Sequence, residues 1–293
     1  MPLEVACHLN VLVPDLAEPG LSRALTALAE LGYSHVVLPP IDPESAPLAE
    51  WAALFRDSGV APITLGGQAP GADVSSADPG SQEQGAAALR RLVDATVALG
   101  GDQMNGVSYG LFGRPETVPT REAFERSAAA LGAVADYAHS QGVTMTFEVL
   151  NRYETAMLNT AQQALDFIAT SGSDHLRVHL DTFHMAVEEA DMSAAIRAAV
   201  PVLGYLELGQ SGRGGLASGS VDAAAVVRDA LSAGYRGRIG VEAFSRSVLP
   251  SVVGDMLAIW RDTYPDGRTL AAEAIAIIRS AEAAEGQVAG VAP

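Results

Sequence analysis

The chain has 293 residues, 48% of them hydrophobic, which is enough for a full core in one large domain. Its formal net charge of −17 argues against binding nucleic acid or an anionic membrane, since both need a basic surface. A single cysteine, Cys7, excludes an internal disulfide and fits a reducing cytoplasm; no apolar run reaches spanning length, and no charged stretch precedes an apolar one at the N-terminus.

Taken in order, Val5–Val11 reads as a strand, and Leu21–Leu31 as an amphipathic helix closed by Gly32. Ser34–Leu38 is a second strand, stopped by Pro39 and Pro40; a helix over Pro47–Ser58 and a strand over Ala61–Leu65 follow. Residues Gly66–Gly80, rich in Gly, Ser, Asp and Pro, predict a long loop. Then come a helix (Gln82–Leu99), a strand (Gln103–Val107), a loop (Ser108–Pro119), and an Ala-rich helix (Arg121–Gln141) with Thr120 as its N-cap. Val143–Glu148 is the fifth strand. A helix over Thr160–Ala169, a strand over Arg177–Asp181, a helix over Met192–Ala199 and a strand over Val202–Leu208 continue the alternation. It ends with a helix (Val221–Ala233), a strand (Arg238–Glu242) and helices over Ser251–Trp260 and Leu270–Ala284. Eight strands alternating with helices predict an α/β fold, a (β/α)8 TIM barrel. The first strand is followed by Pro14, Asp15 and Leu16 rather than the Gly-rich phosphate turn of a doubly wound sheet. We expect a single domain over residues 1–285 and a frayed tail over 286–293.

The later strands share a design. Val143, Met145 and Phe147 alternate with Thr144, Thr146 and Glu148, so the strand has an apolar and a polar face, the latter ending in a carboxylate. Asp181, Glu207 and Glu242 stand at matching places on the next three strands, with Val178 and Leu180, Leu206 and Leu208, and Ile239 and Val241 on the opposite faces. Four strand ends thus aim one carboxylate each at a shared place, the end of a barrel where catalytic groups collect. One such carboxylate is commonly a salt-bridged strand end. Four close together repel unless protons or a cation intervene, so we expect a divalent metal, with Mn²⁺ or Mg²⁺ favoured by oxygen donors. His184, three residues past Asp181, is a candidate for substrate binding. His179, one layer deeper, is either a partner that orients a ligand or a packed core histidine. His8 is placed to point into the barrel, whereas His35, His139 and His175 read as incidental. Arg213, flanked by glycines after the seventh strand, suits an oxygen-rich or phosphorylated substrate, or lies in a flexible loop. Tyr109, Phe112 and Phe244 lie beyond strand ends, where they wall a pocket or join the core.

Five segments, in order, resemble motifs of the D-tagatose/D-psicose (allulose) 3-epimerase family, in the sugar phosphate isomerase/epimerase TIM-barrel superfamily: GADVSSADP (71–79), GVSYGLFG (106–113), EVLNRYETAMLNT (148–160), LDTFHMAVEE (180–189) and GRIGVEAFS (237–245). The resemblance implies that Glu148 and Glu242 bind the metal and move the proton, that Asp181 is a further ligand, and that Glu154, His184 and Arg213 bind substrate. The family's fourth ligand is a histidine in a His-x-His-like segment; here Tyr205 and Glu207 occupy the two histidine positions. The related hydroxypyruvate isomerases use an amide oxygen near that place, so an oxygen ligand from Glu207 is compatible with the barrel. Val37 stands where many members carry a glutamate. The activity implied is C3 epimerisation of a ketose through a cis-enediolate. The alternatives are a hydroxypyruvate-isomerase-like aldose–ketose isomerisation, an epimerase of a sugar or cyclitol phosphate, and a silent sugar-binding barrel. An endonuclease-IV-like barrel would need several metal histidines and a basic groove. The expected partner is a small-molecule sugar, and the expected assembly a cytoplasmic homodimer or homotetramer.

Overall fold

The computed structural model describes residues 3–114 and 116–289. Eight strands, β1 (Val5–His8), β2 (His35–Val37), β3 (Ala61–Gly66), β4 (Gln103–Gly106), β5 (Thr144–Val149), β6 (Arg177–Asp181), β7 (Leu203–Gly209) and β8 (Arg238–Glu242), form a closed parallel barrel in chain order. Closure is made by β8 pairing with β1, Gly240 opposite Ala6. The helices are α1 (Gly20–Leu31), α2 (Leu48–Ser58), α3 (Pro79–Ala98), α4 (Arg121–Ser140), α5 (Ala161–Ser171), α6 (Thr182–Glu188), α7 (Met192–Ala199), α8 (Ala223–Ser232), α9 (Ser251–Met256) and α10 (Gly267–Ala289). None of the described helices is long and apolar enough to cross a membrane.

The expected TIM barrel is therefore present as one domain, and the departures have local causes. The first strand stops at His8, and Leu9–Val11 turn as a 3-10 helix. The third helix begins earlier, at Pro79, because Asp78 caps it by accepting from the Ser81 N–H while proline takes the first turn. A helix absent from the sequence reading, α6, starts directly after β6 with Asp181 as its N-cap. The last helix continues to Ala289; of the tail expected over 286–293, residues 290–293 lie outside the described residues.

Strand parity separates two interiors. Val178, Leu180, Leu206, Leu208, Ile239 and Val241 face the helices and belong to the main core. Ala6, Val37, Ile63 and Tyr205 pack as a small apolar plug inside the barrel. At the end of the barrel opposite the carboxylates, Arg238 donates to Glu4, Asp102 and Gln103, tying β8 across to β4.

Candidate active site

The four strand-end carboxylates converge as the parity argument expects. Asp181 stands beside Glu207 in register, Glu207 beside Gly240, and Glu148 beside His179. Asp181 and Glu207 are fully buried, and Glu242 is 6% exposed. Their oxygens and nearby imidazoles form three overlapping groups whose ligand atoms lie within 4.8 Å of one another: Glu148, Asp181 and His184; His8, Glu207 and Glu242; Glu148, His179 and Glu207. His8 and His179, left open by sequence, therefore both line the site, on either side of Glu207. Glu207 Oε1 is 2.9 Å from His8 Nε2, and Oε2 is 3.1 Å from His179 Nε2.

Electrostatics follow from this crowding. Burial pushes the Asp181 carboxyl well above its usual range, and repulsion from Glu242, Glu207 and Glu148 adds to it. Burial would raise Glu148 and Glu207 as well. His179 and His184 instead hold Glu148 low, and His8 and His179 hold Glu207 low. For His8, burial favours the neutral ring, but Glu207 outweighs it and lifts the pKa to about 9. Asp181 Oδ2, both Glu207 oxygens, His8 Nε2 and both His179 nitrogens are buried without an aligned hydrogen-bond partner. Buried polar atoms are normally satisfied. A cluster of unpaired oxygen and nitrogen donors around repelling carboxylates fits a divalent metal site.

Each remaining side chain is held from outside the ring. His184 sits in the first turn of α6. Its Nδ1 accepts from the Asn151 backbone N–H at 3.1 Å, which places the proton of the neutral ring on Nε2, facing Glu148 (3.4 Å) and Asp181 (3.6 Å). Thr182 locks this turn to β7, its hydroxyl donating to the Gly209 carbonyl. Arg213 is buried rather than placed in a flexible loop. Its guanidinium lies between the Phe183 ring (4.1 Å) and the Phe244 ring (4.9 Å), with Nη2 donating to Glu242 Oε2 at 2.6 Å. Nη1 is 3.7 Å from Glu154 and lacks a hydrogen-bond partner, so it is free to meet a substrate oxygen. Gln210, which sequence reasoning passed over, organises this loop: its amide accepts from Ser211 and Val221 and donates to Leu216 and Val221.

Other sequence expectations change. Tyr109 is fully buried against Phe147 and Phe167 and belongs to the core, whereas Phe244 does line the site. His35 takes no part in this centre; it is buried on β2 near Arg238, with its ring on Ser34 Oγ. His139 and His175 stack on each other, ring centroids 3.7 Å apart, away from the site.

A closed (β/α)8 barrel with a buried carboxylate–imidazole centre at the strand ends defines the class. Residues 25–281 match the family model described as xylose isomerase-like TIM barrel. The chain is 37% identical to the L-ribulose 3-epimerase of Mesorhizobium japonicum, across 94% of this chain and 92% of that one. It is 35% identical to the ketose 3-epimerase of Arthrobacter globiformis, across 94% and 96%. It superposes on the D-allulose 3-epimerase from Methylomonas sp. in complex with D-allulose at a TM-score of 0.90 and 33% identity, covering 95% of this chain and 96% of that one. The chain belongs to the xylose isomerase-like TIM barrels and, within them, to the ketose 3-epimerases, which are isomerase-class sugar epimerases.

Proposed function

We propose that this enzyme is a metal-dependent C3 epimerase of a free ketose. The observation that carries the reading is the pair Glu148 and Glu242. They reach the acidic centre from strands three apart around the barrel and have different partners, His184 for Glu148 and Arg213 for Glu242. Two separately held carboxylates suit proton removal on one face of a carbon and return on the other. A divalent cation held by Glu148, Asp181, Glu207 and Glu242, Mn²⁺ or Mg²⁺ for an oxygen-rich donor set, would supply Lewis acidity beside the C2 carbonyl and C3 hydroxyl. One glutamate takes the C3 proton, leaving a cis-enediolate, and the other delivers a proton to the opposite face, inverting C3. His184, Arg213 Nη1 and Glu154 border the same space and orient the substrate hydroxyls. Because Arg213 is already paired with Glu242 and close to Glu154, the site favours an uncharged sugar over a phosphate.

Buried Cys7 with no second cysteine suits a cytoplasmic setting. Exposed Val252, Met256 and Trp260 suit a homodimer or homotetramer, which light scattering would read. The activity is tested by incubating D-allulose and L-ribulose with Mn²⁺-loaded enzyme in D₂O and following the products by NMR. Inversion at C3 with deuterium incorporated there is expected. Carbonyl migration to an aldose without C3 inversion would move the assignment to an isomerase. Failure to exchange deuterium would leave a sugar binder.

A further inference from the structure

We propose that His8 and His179 are positioning residues that fix the Glu207 carboxylate from its two sides, so that β7 presents a carboxylate rather than an imidazole to the cation. The inference rests on the metal-dependent reading above. Glu207 is fully buried in a ring of acids that repel it, and a lone glutamate there would swing away from its neighbours or take up a proton. Instead, each oxygen faces a different imidazole, at 2.9 Å on the His8 side and 3.1 Å on the His179 side.

The three residues come from strands that do not simply follow one another. His179 is on neighbouring β6, where its ring stands edge-on to Tyr205, 4.8 Å between centroids. His8 is on β1, beyond β8. It reaches Glu207 because the β8 residue in register with Glu207 is Gly240, which interposes no side chain; a Cβ there would lie 2.6 Å from Glu207 Oε1. Phe244 packs edge-on against His8, ring centroids 6.1 Å apart, and restrains it. Neither imidazole contact has hydrogen-bond alignment, so the rings fence the carboxylate without saturating its oxygens, which stay available as ligands. Residues that orient a ligand in this way typically change metal affinity by about 10- to 100-fold when replaced.

The test is a Mn²⁺ titration of the chelator-stripped full chain by calorimetry, with the EPR spectrum of bound Mn²⁺ as a second readout. It compares wild type, His8→Gln, His179→Gln, Glu207→Gln and the two double variants, each checked for fold by circular dichroism. Each histidine variant is expected to weaken Mn²⁺ binding about 10-fold or more and to alter the EPR line shape. In the Glu207→Gln background the same changes should add little, because both histidines act through that carboxylate. Unchanged affinity in both histidine variants, or the same loss with and without Glu207, overturns the inference while leaving the metal-dependent reading intact. Wild-type protein that binds no Mn²⁺ overturns both. If one variant fails to fold, the other histidine, or His8→Asn, still decides.

Discussion

Arg213 is held in the site from its backbone as well as from its side chain. Its backbone is left-handed, with φ of 52°, a conformation that costs a residue bearing a Cβ about 1 kcal/mol or more. The loop keeps it there through Gln210, whose carbonyl accepts from the Arg213 N–H at 2.7 Å, and through Phe244, whose N–H donates to the Arg213 carbonyl at 2.8 Å. The strain places a planar cation between two rings and against Glu242. Lysine has neither the plane to stack nor the fork to reach two carboxylates. Arg213→Lys is therefore expected to lower kcat/KM by about 100-fold, chiefly by raising KM, as initial rates over a ketose concentration series would show. If Glu148 and Glu242 exchange the proton as proposed, Glu148→Gln and Glu242→Gln keep shape but remove the basic group, and each should cut kcat by about 10²- to 10⁴-fold. Near-normal turnover in either variant would remove that residue from proton transfer.

Among the elements, β8 and β2 make opposite uses of the barrel interior. On β8, Gly240 leaves the space that Tyr205 and Glu207 fill from β7. Gly240→Ala should cost about 1–3 kcal/mol of stability through overpacking against Tyr205 and Glu207, and should lower activity because Glu207 belongs to the acidic centre. Thermal melts and rates of the same preparation check this, and an unchanged melting temperature would mean that the strands absorb the methyl. On β2, burial and then the nearby Arg238 guanidinium push the His35 imidazole down to about pKa 4, against 6.5 in the unfolded chain. The folded state thus holds this ring neutral where the unfolded chain protonates it. Its contribution to stability is complete above about pH 6.5 and is lost as pH falls from there toward 4. Melting temperature should drop less over that interval in His35→Asn than in wild type. Parallel curves would show that His35 carries none of the acid sensitivity.

At the scale of the whole molecule, the acidic centre sets protein stability against site chemistry. Four carboxylates from β5, β6, β7 and β8 are held together by the barrel, and Asp181 shows the cost in its raised pKa. A cation that binds only the folded chain stabilises it by mass action, about 2.7 kcal/mol at a free concentration 100 times Kd. Stripping with EDTA should lower the melting temperature by several degrees, and Mn²⁺ should restore it together with activity. Equal melting temperatures with and without saturating Mn²⁺ would argue that the carboxylates are reconciled by protons alone.

The sequence by itself determined the barrel and the convergence of its acids, because both depend on local periodicity. Alternation over six residues sends Glu148 inward and Phe147 outward wherever the strand goes, and the repeated pattern puts Asp181, Glu207 and Glu242 at the same end. Segments such as EVLNRYE and LDTFHM also carried the family resemblance on which the roles of Glu154, His184 and Arg213 rest. Tertiary structure alone decided what those acids touch. Nothing local pairs His8 with Glu207, 199 positions later; the contact exists because β8 closes onto β1 and Gly240 leaves the way open. The burial of Arg213 between Phe183 and Phe244 likewise needs the ends of β6 and β8 and the loop after β7 to meet. The short helix α6 begins with an aspartate N-cap that sequence had assigned to metal binding, a second role for Asp181 that shows only once its Oδ1 is seen accepting from Phe183. Periodicity encodes the direction of a side chain relative to its own strand, whereas its partners depend on ring closure, which no stretch of one strand contains.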